Sequence, residues 1–363
     1  MKNEIKGTIE VSTVKEDKLA PVVMSAVECD EKVRKGAPLQ TMVCAIDSGY
    51  GKIKVSYKDS LKGEVKVFNL DATIAKGMCV DVSKTIYIEG EAYDTLSYNK
   101  LSKTGNITKD NEFSILNMYR GMYELYKRTK VTNFVIGLGC SMDTAQSEDA
   151  KKSLRDRAIK LREVKIREHG EQDVVLRIEE VIIQPEGACS IFNVDKNKVD
   201  RMDDNYIVDL GTLNSCITPY HKVPNIKNAV SKEFGYDFIV KGVMVKLKSL
   251  GYNVREEQVE RMIENLPKQD KAIQKAINEF VIKEFLEKTL KTQLIEVGYN
   301  EILGHKLVFT GGTSARFSQH IMKVFKNAVF TINPLYSNVI GMYIRTENIW
   351  NELQKTLKES VGA

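Results

Sequence analysis

Val43-Cys44-Ala45-Ile46-Asp47-Ser48-Gly49-Tyr50-Gly51-Lys52-Ile53-Lys54-Val55 is the stretch around which the rest of the chain organises. An apolar run leads into one aspartate. Two glycines bracket a tyrosine, and Ile53 and Val55 then alternate with Lys52 and Lys54. The pattern reads as strand, glycine turn, strand. Glycine lets a turn take φ > 0 and approach a ligand closely. Successive N–H groups in such a turn make a concave nest for anions. Asp47, at the end of a buried strand, has the oxygen chemistry to hold a metal. Taken by itself, the stretch fits a surface hairpin with one solvated aspartate equally well.

The form recurs. Val208-Asp209-Leu210-Gly211 repeats the apolar-Asp-x-Gly of Ile46-Asp47-Ser48-Gly49, again between an apolar strand and a return strand. Such a repeat suggests a duplicated half-molecule, with two nests facing one polyphosphate. Between the copies, the strand run from Val174 to Ile183 ends at Gln184-Pro185-Glu186-Gly187-Ala188. Pro185 fixes the backbone there, and a helix starting at this corner places Glu186 in its first turn. After the second copy, the strand Lys306 to Thr310 runs into Gly311-Gly312-Thr313-Ser314.

Other segments give coarser expectations. Residues 1–40 are unlike the rest of the chain, with a weak edge strand over Ile5 to Val14, and read as a surface extension or an arm at a subunit contact. Strands are expected at Glu64 to Leu70, Thr85 to Glu91, Asn133 to Gly139 and Val329 to Ile332. Apolar residues at spacings of three and four predict a helix over Glu112 to Lys130. Ser147 is a fitting N-cap for a Lys/Arg-rich helix reaching about Arg167, whose basic side reads as a solvated face. Helices are also predicted over Ser231 to Ser249, Arg255 to Leu266 and Ala272 to Ile295, with Gly251, Pro267 and Gly298 as stops. The charged run Asp195 to Asp204 marks a domain boundary. Ile349, Trp350, Leu353 and Leu357 form a C-terminal stripe expected to dock on the body.

Composition narrows the class. The chain has 363 residues, 42% hydrophobic and 28% charged, which suits two domains sharing a cleft. Net charge is +5 and pI about 8.6, spread over Lys and Arg throughout, a weak signal for direct DNA contact. The six cysteines (Cys29, Cys44, Cys79, Cys140, Cys189, Cys216) form no CxxC pair and read as small buried hydrophobes of a reducing cytosol. Four separated histidines argue against a His-based metal centre. No apolar run is long enough for a membrane span, and the charged N-terminus carries no signal peptide.

The order Asp-x-Gly hairpin, Glu at a strand-to-helix corner, second Asp-x-Gly hairpin, strand-Gly-Gly-helix resembles the superfamily of actin, sugar kinases and DnaK-type chaperones. The resemblance covers about residues 42–350. Within it the chain is most similar to the bacterial actin-like plasmid-segregation proteins of the ParM type. Asp47-Ser-Gly-Tyr-Gly-Lys-Ile-Lys54, Gly137-Leu-Gly139, Pro185-Glu-Gly-Ala188, Asp209-Leu-Gly-Thr-Leu-Asn-Ser215, Phe309-Thr-Gly-Gly-Thr-Ser314 and Ser337-Asn-Val-Ile-Gly-Met-Tyr343 carry the likeness.

The resemblance implies an α/β actin-like fold: two duplicated RNase H-like domains around a nucleotide cleft. It divides the chain into an extension (1–40), domain I (41–195), domain II (196–335) and a C-terminal helical region (336–363) packing back on domain I. It implies Mg²⁺ and ATP, with GTP possible. Ser48, Gly49, Tyr50 and Gly51 become the first phosphate loop, with Lys54 reaching a phosphate. Gly211, Thr212, Leu213 and Asn214 become the second. Asp47 and Asp209 organise the metal, Glu186 serves the attacking water, and Gly311, Gly312 and Thr313 lie along the adenosine. The implied protein is a cytoplasmic ATPase that assembles with itself into filaments. It moves plasmid DNA indirectly, through a centromere-binding adaptor and without a membrane. Two features depart from the family: a second loop less glycine-rich than Asp-x-Gly-Gly-Gly-Thr, and the N-terminal extension. A metabolic kinase of the same superfamily lacks a visible sugar-binding motif here. A membrane-bound division or shape scaffold wants a more apolar terminal helix.

Overall fold

The computed structural model describes residues 40–49, 51–60, 63–96 and 112–361. The extension up to residue 39, with its expected strand over Ile5 to Val14, lies outside the described residues, as do Tyr50 and Cys29.

The described chain forms two compact units. The first runs to Gln184 and resumes at Met342; the second is Pro185–Gly341. The charged turn at 195–204 therefore falls inside the second unit. Ile191, Val194 and Val199, on either side of its start, share an apolar cluster with Ile207, Tyr220 and Val308.

Unit one is built on a nine-stranded sheet. Its strands are β1 (Thr41–Ser48), β2 (Lys52–Tyr57), β3 (Lys66–Asp71), β4 (Ala75–Lys76), β5 (Thr85–Ile88), β6 (Glu91–Asp94), β7 (Asn133–Cys140), β8 (Glu163–Glu168) and β9 (Val174–Pro185). The order is β3-β2-β1-β7-β9-β8-β5-β6-β4. β1 pairs antiparallel with β2 and parallel with β7. β7 is buried along its whole length, as a central strand covered on both faces must be. Phe134, Ile136 and Leu138 are fully enclosed there, each worth roughly 1.5–3 kcal/mol of burial.

Helix α1 (Glu112–Thr129) crosses the β1–β2 hairpin. A Cβ on Gly121 would lie 3.2 Å from Ile46 Cδ1 and 3.3 Å from Val55 Cγ2, so glycine is what lets the helix sit this close. The expected face is only partly the buried one. Tyr119 and Met122 are buried while Phe113, Leu116 and Tyr126 are half-buried, because the mid-helix is enclosed on more than one side. Buried Arg120 donates to Thr73 O (2.7 Å) and Asn117 Oδ1 (3.2 Å), and burial lowers its pKa to about 10.

The short helices α2 (Met142–Ala145) and α3 (Glu148–Ala158) come next, α3 capped by Ser147 Oγ on Ala150 N (3.2 Å). The helix expected to reach Arg167 stops at Ala158, and Glu163–Glu168 is instead strand β8. Val164 and Ile166 alternate inward at full burial, a period of two that outweighs the charged residues between them.

Unit two repeats the core of this plan. β10 (Asp204–Leu210), β11 (Ser215–His221), β12 (Val223–Pro224), β14 (Lys306–Thr310) and β15 (Ala328–Phe330) lie in the order β12-β11-β10-β14-β15, with β13 (Val230–Lys232) also on β11. β10 is antiparallel to β11 and parallel to β14, as β1 is to β2 and β7.

Its helices are α4 (Tyr236–Ser249), α5 (Glu256–Glu264), α6 (Lys271–Glu279), α7 (Lys291–Glu296), α8 (Gly312–Arg316) and α9 (Ser318–Val324). A π-helical stretch, Phe280–Leu290, joins α6 to α7. α4 begins later than the sequence pattern suggests, because Val230–Lys232 pairs with β11 as strand β13. Val240, Val243, Phe285 and Phe309 are among the residues filling the core of this unit.

Helix α10 (Ser337–Val361) starts in unit two and passes into unit one. A Cβ on Gly137 would collide with Thr346 Oγ1, which fixes where α10 lies on β7. The C-terminal stripe docks only in its first half. Ile349 and Trp350 are half-buried, whereas Leu353 is 42% and Leu357 56% exposed. Cys44, Cys79, Cys140 and Cys189 are buried free thiols and Cys216 is half-buried. No helix among the described residues is long and apolar enough to cross a membrane.

Candidate functional site

Each unit carries one Asp-turn hairpin, and the two share a register. In unit one Asp47 pairs with Lys54 and Ser48 with Ile53. In unit two Asp209 pairs with Cys216 and Leu210 with Ser215. The partner thus stands seven positions after the aspartate in both. The turn glycine also meets the same obstacle. A Cβ on Gly49 would lie 2.9 Å from Lys52 O, and one on Gly211 3.1 Å from Asn214 O. Neither glycine has positive φ, so the turns need glycine for space and not, as the sequence pattern suggested, for a left-handed backbone.

In unit one, Asp47 is 4% exposed at the end of β1, and Lys54 Nζ lies 3.6 Å from its Oδ2. That spacing is an ion pair and too long for a hydrogen bond. Ser48 Oγ is buried with no hydrogen-bond partner.

Unit two assembles more of the expected residues. Gly187, at φ +73°, stands so close that its Cβ would meet Asp209 Cβ at 2.9 Å. On the other side, a Cβ on Gly311 would collide with Leu210 O and Asp209 Oδ1. Gly311 has φ 90° and ψ 161°, a region open essentially to glycine alone. Asp209 is therefore clasped by two glycines from separate segments, and Glu186 is the residue just before one of them.

Glu186 lies in a turn between β9 and a 3₁₀ segment, Ala188–Asn193, with Gly187 at the N-cap. It is not in the first turn of an α-helix, because the positive φ of Gly187 breaks the chain direction there. Gly187 N–H donates to Asn338 Oδ1 (2.9 Å), and Ser190 Oγ donates to Gly187 O (2.7 Å). These bonds fix the turn that presents Glu186.

The second turn is held from behind. Tyr236 N–H and Asp237 N–H, opening α4, donate to Gly211 O (3.1 Å) and Thr212 O (2.9 Å). Gly235 makes room for this: its Cβ would lie 2.5 Å from Gly211 O. Thr313 Oγ1 donates to Gly211 O (2.7 Å), tying α8 to the turn. The Gly211 N–H closes the turn by donating to Asn214 O (2.9 Å), so any anion would meet the amides that follow it. Ser215 Oγ and Ser314 Oγ, both on fully buried residues, have no hydrogen-bond partner.

Unit two thus brings together Glu186, Asp209, Gly211, Thr212, Leu213, Asn214, Gly311, Gly312 and Thr313. Asp47, Ser48, Gly49, Gly51 and Lys54 belong to the unit-one hairpin. Gly187, Gly235, Ser215 and Asn338 were not among the expected site residues. A glycine directly after the corner glutamate and one directly before a helix were the available signals for the first two.

Within each unit the residue types at the turn suit phosphate, and the aspartate suits a hard cation such as Mg²⁺. Glycine cradles that a Cβ would fill, a lysine beside a buried carboxylate and orphaned serine hydroxyls suit an anion. Among the described residues no three Asp, Glu, His or Cys groups converge on one point.

No protein-family model and no curated protein matches the chain. Solved structures do. Ta0583, an archaeal actin homologue, superposes with a TM-score of 0.65 at 14% identity, covering 85% of this chain and 99% of that one. An Alp12 filament structure gives 0.62 at 18% identity, over 85% and 99%. A Bacillus thuringiensis ParM with ATP gives 0.56 at 14%, over 86% and 99%. The chain has the actin-like fold, with its duplicated sheet core.

Proposed function

We propose that this protein is a nucleotide-driven filament former that segregates plasmid DNA. It binds ATP or GTP with Mg²⁺, polymerises, hydrolyses the nucleotide, and the filament then destabilises. Growth moves a plasmid through an adaptor bound to a centromere-like site. The observation that carries the reading is the Asp-turn hairpin present twice in one register, once in each unit. The similar folds of an Alp12 filament and a ParM with ATP support it.

The residues divide the work as phosphoryl transfer requires, by positioning and charge more than covalent chemistry. Amides of the turn at Gly49 and of Thr212 to Asn214 donate to phosphate oxygens, with Gly211 giving the close approach. Lys54 adds positive charge. Mg²⁺, when bound, would supply charge neutralisation on the phosphates, and Asp47 and Asp209 are the acids that would hold it. Glu186 orients a water and takes its proton as the water oxygen bonds to the γ-phosphorus and the bond to the leaving diphosphate breaks. Gly311, Gly312 and Thr313 seat the nucleoside side.

Electron microscopy of the purified protein tests the reading. Filaments with Mg-ATP or Mg-GTP, and none with Mg²⁺ alone, are expected. Single particles under all three conditions, from protein that binds nucleotide, would overturn filament formation.

A further inference from the structure

Just beyond the glycine pair, unit two carries side chains that the phosphate chemistry does not use. Gly312 opens α8 and Arg316 closes it, four residues on and so on the same face. Leu335, a large apolar residue that is 41% exposed, lies against that face: a Cβ on Gly312 would be 3.5 Å from its Cδ1. The Arg316 guanidinium sits 4.8 Å from the Tyr236 ring centroid, with Nη1 donating to the Tyr236 hydroxyl (3.4 Å). Its Nη2 is 3.5 Å from Glu264 Oε1.

Tyr236 joins this group to the phosphate turn, since its backbone N–H donates to Gly211 O (3.1 Å). Burial pushes the Tyr236 phenol up to about 12, so it stays neutral under the guanidinium at physiological pH.

An exposed leucine beside a glycine offers a flat apolar wall for a planar ring. Four residues along α8 is the Arg316 guanidinium, a planar fork of N–H donors with no acceptor, whose Nη1 and Nη2 make only long contacts to Tyr236 and Glu264. Its plane is held by the tyrosine, and its pairing with half-exposed Glu264 is weak enough to yield to a ligand. Such a fork matches the N7 and O6 acceptors of guanine. Adenine sets an N6 amino donor where guanine has O6, so one donor confronts another.

We propose that Gly312 and Leu335 seat the face of the nucleoside base and that Arg316 reads its edge, making the chain prefer guanine over adenine nucleotides. The proposal rests on the nucleotide-binding reading above and adds the base to it.

Equilibrium titration of the full chain with fluorescently labelled GDP and ADP in Mg²⁺ tests it without turnover or assembly. GDP should bind about tenfold more tightly than ADP, the discrimination of one bidentate contact. Arg316→Ala and Arg316→Lys should both bring the ratio close to one, because lysine keeps the charge but not the fork. Should the alanine variant fail to fold by circular dichroism, the lysine variant decides. Equal affinities in the parent, or a ratio that survives the folded variants, overturns the proposal. So does a parallel loss of both nucleotides, which would place Arg316 on the phosphates. Binding of neither nucleotide by the parent overturns it together with the reading beneath it.

Discussion

The hairpins built on β1–β2 and β10–β11 share a register but have taken different neighbours. Opposite Asp47 stands Lys54; opposite Asp209 stands Cys216, whose Sγ lies 3.8 Å from Thr218 Oγ1. The first hairpin carries a cation beside its own acid. The second has none at that position and is shaped by backbone: Gly187 and Gly311 press on Asp209, and the start of α4 holds the turn from behind. One copy is specialised by charge, the other by space. Removing charge should therefore harm the first hairpin most, and adding atoms should harm the second most.

Glu186, delivered by the glycine that abuts Asp209, gives the largest expected effect. Glu186→Ala should slow phosphate release by roughly 10²- to 10⁴-fold, the usual contribution of a positioned base, while filaments still form and persist. Release at the parental rate would remove the assigned role.

Space comes next. Gly311→Ala forces a side chain into a glycine-only backbone region and into Leu210 O, and should cost roughly 3 kcal/mol in urea unfolding. Gly49→Ala meets one carbonyl at 2.9 Å with an ordinary φ and should cost about 1 kcal/mol. Equal losses would break the contrast between the copies.

The charge side of the comparison is a matched pair of substitutions. Lys54→Ala should weaken nucleotide binding roughly tenfold, the scale of a charge-assisted contact, whereas Cys216→Ala should change it less than about twofold. Calorimetric titration of both variants reads the difference, and the reverse order would refute the division into charge and space.

The smallest effect concerns unit two alone. His320 on α9 is partly buried, with Nε2 2.6 Å from Asn278 Oδ1, and burial foremost, then Lys323, holds its pKa below the ordinary 6.5. The unfolded chain then binds the proton more readily, so stability rises with pH through this window and falls as pH drops below about 6.5. Thermal melts between pH 7 and pH 5.5 should show the slope, and His320→Gln should flatten it. An identical slope in the variant would assign it to other groups.

Much of this architecture is legible in local pattern. The β1–β2 and β10–β11 hairpins, α1 and the strand before Gly311 all arise from apolar alternation or helical spacing next to glycine. The misreadings share a cause, which is packing that acts over distance. β8 looks helical because Glu163, Lys165, Arg167 and Glu168 dilute the alternation of Val164 and Ile166, and only pairing with β5 and β9 resolves it. The π-helical stretch has no local mark; a Cβ on Gly242 in α4 would collide with the Phe280 ring at its start. Leu353 and Leu357 continue the stripe into a stretch where they are 42% and 56% exposed. At the site, Asp47, Asp209 and Glu186 stand out as residue types in context. The need for glycine at 187 and 235 does not, because it comes from atoms of Asp209 and of the Gly211–Thr212 turn, each more than twenty positions away in sequence.

Whether the duplicated turn seats a nucleotide that drives assembly is tested most directly by right-angle light scattering, followed together with phosphate release after adding Mg-nucleotide at micromolar protein. A rise that needs both metal and nucleotide is expected, then a decay that tracks phosphate release and is suppressed in Glu186→Ala. A flat trace from protein that binds nucleotide would contradict it.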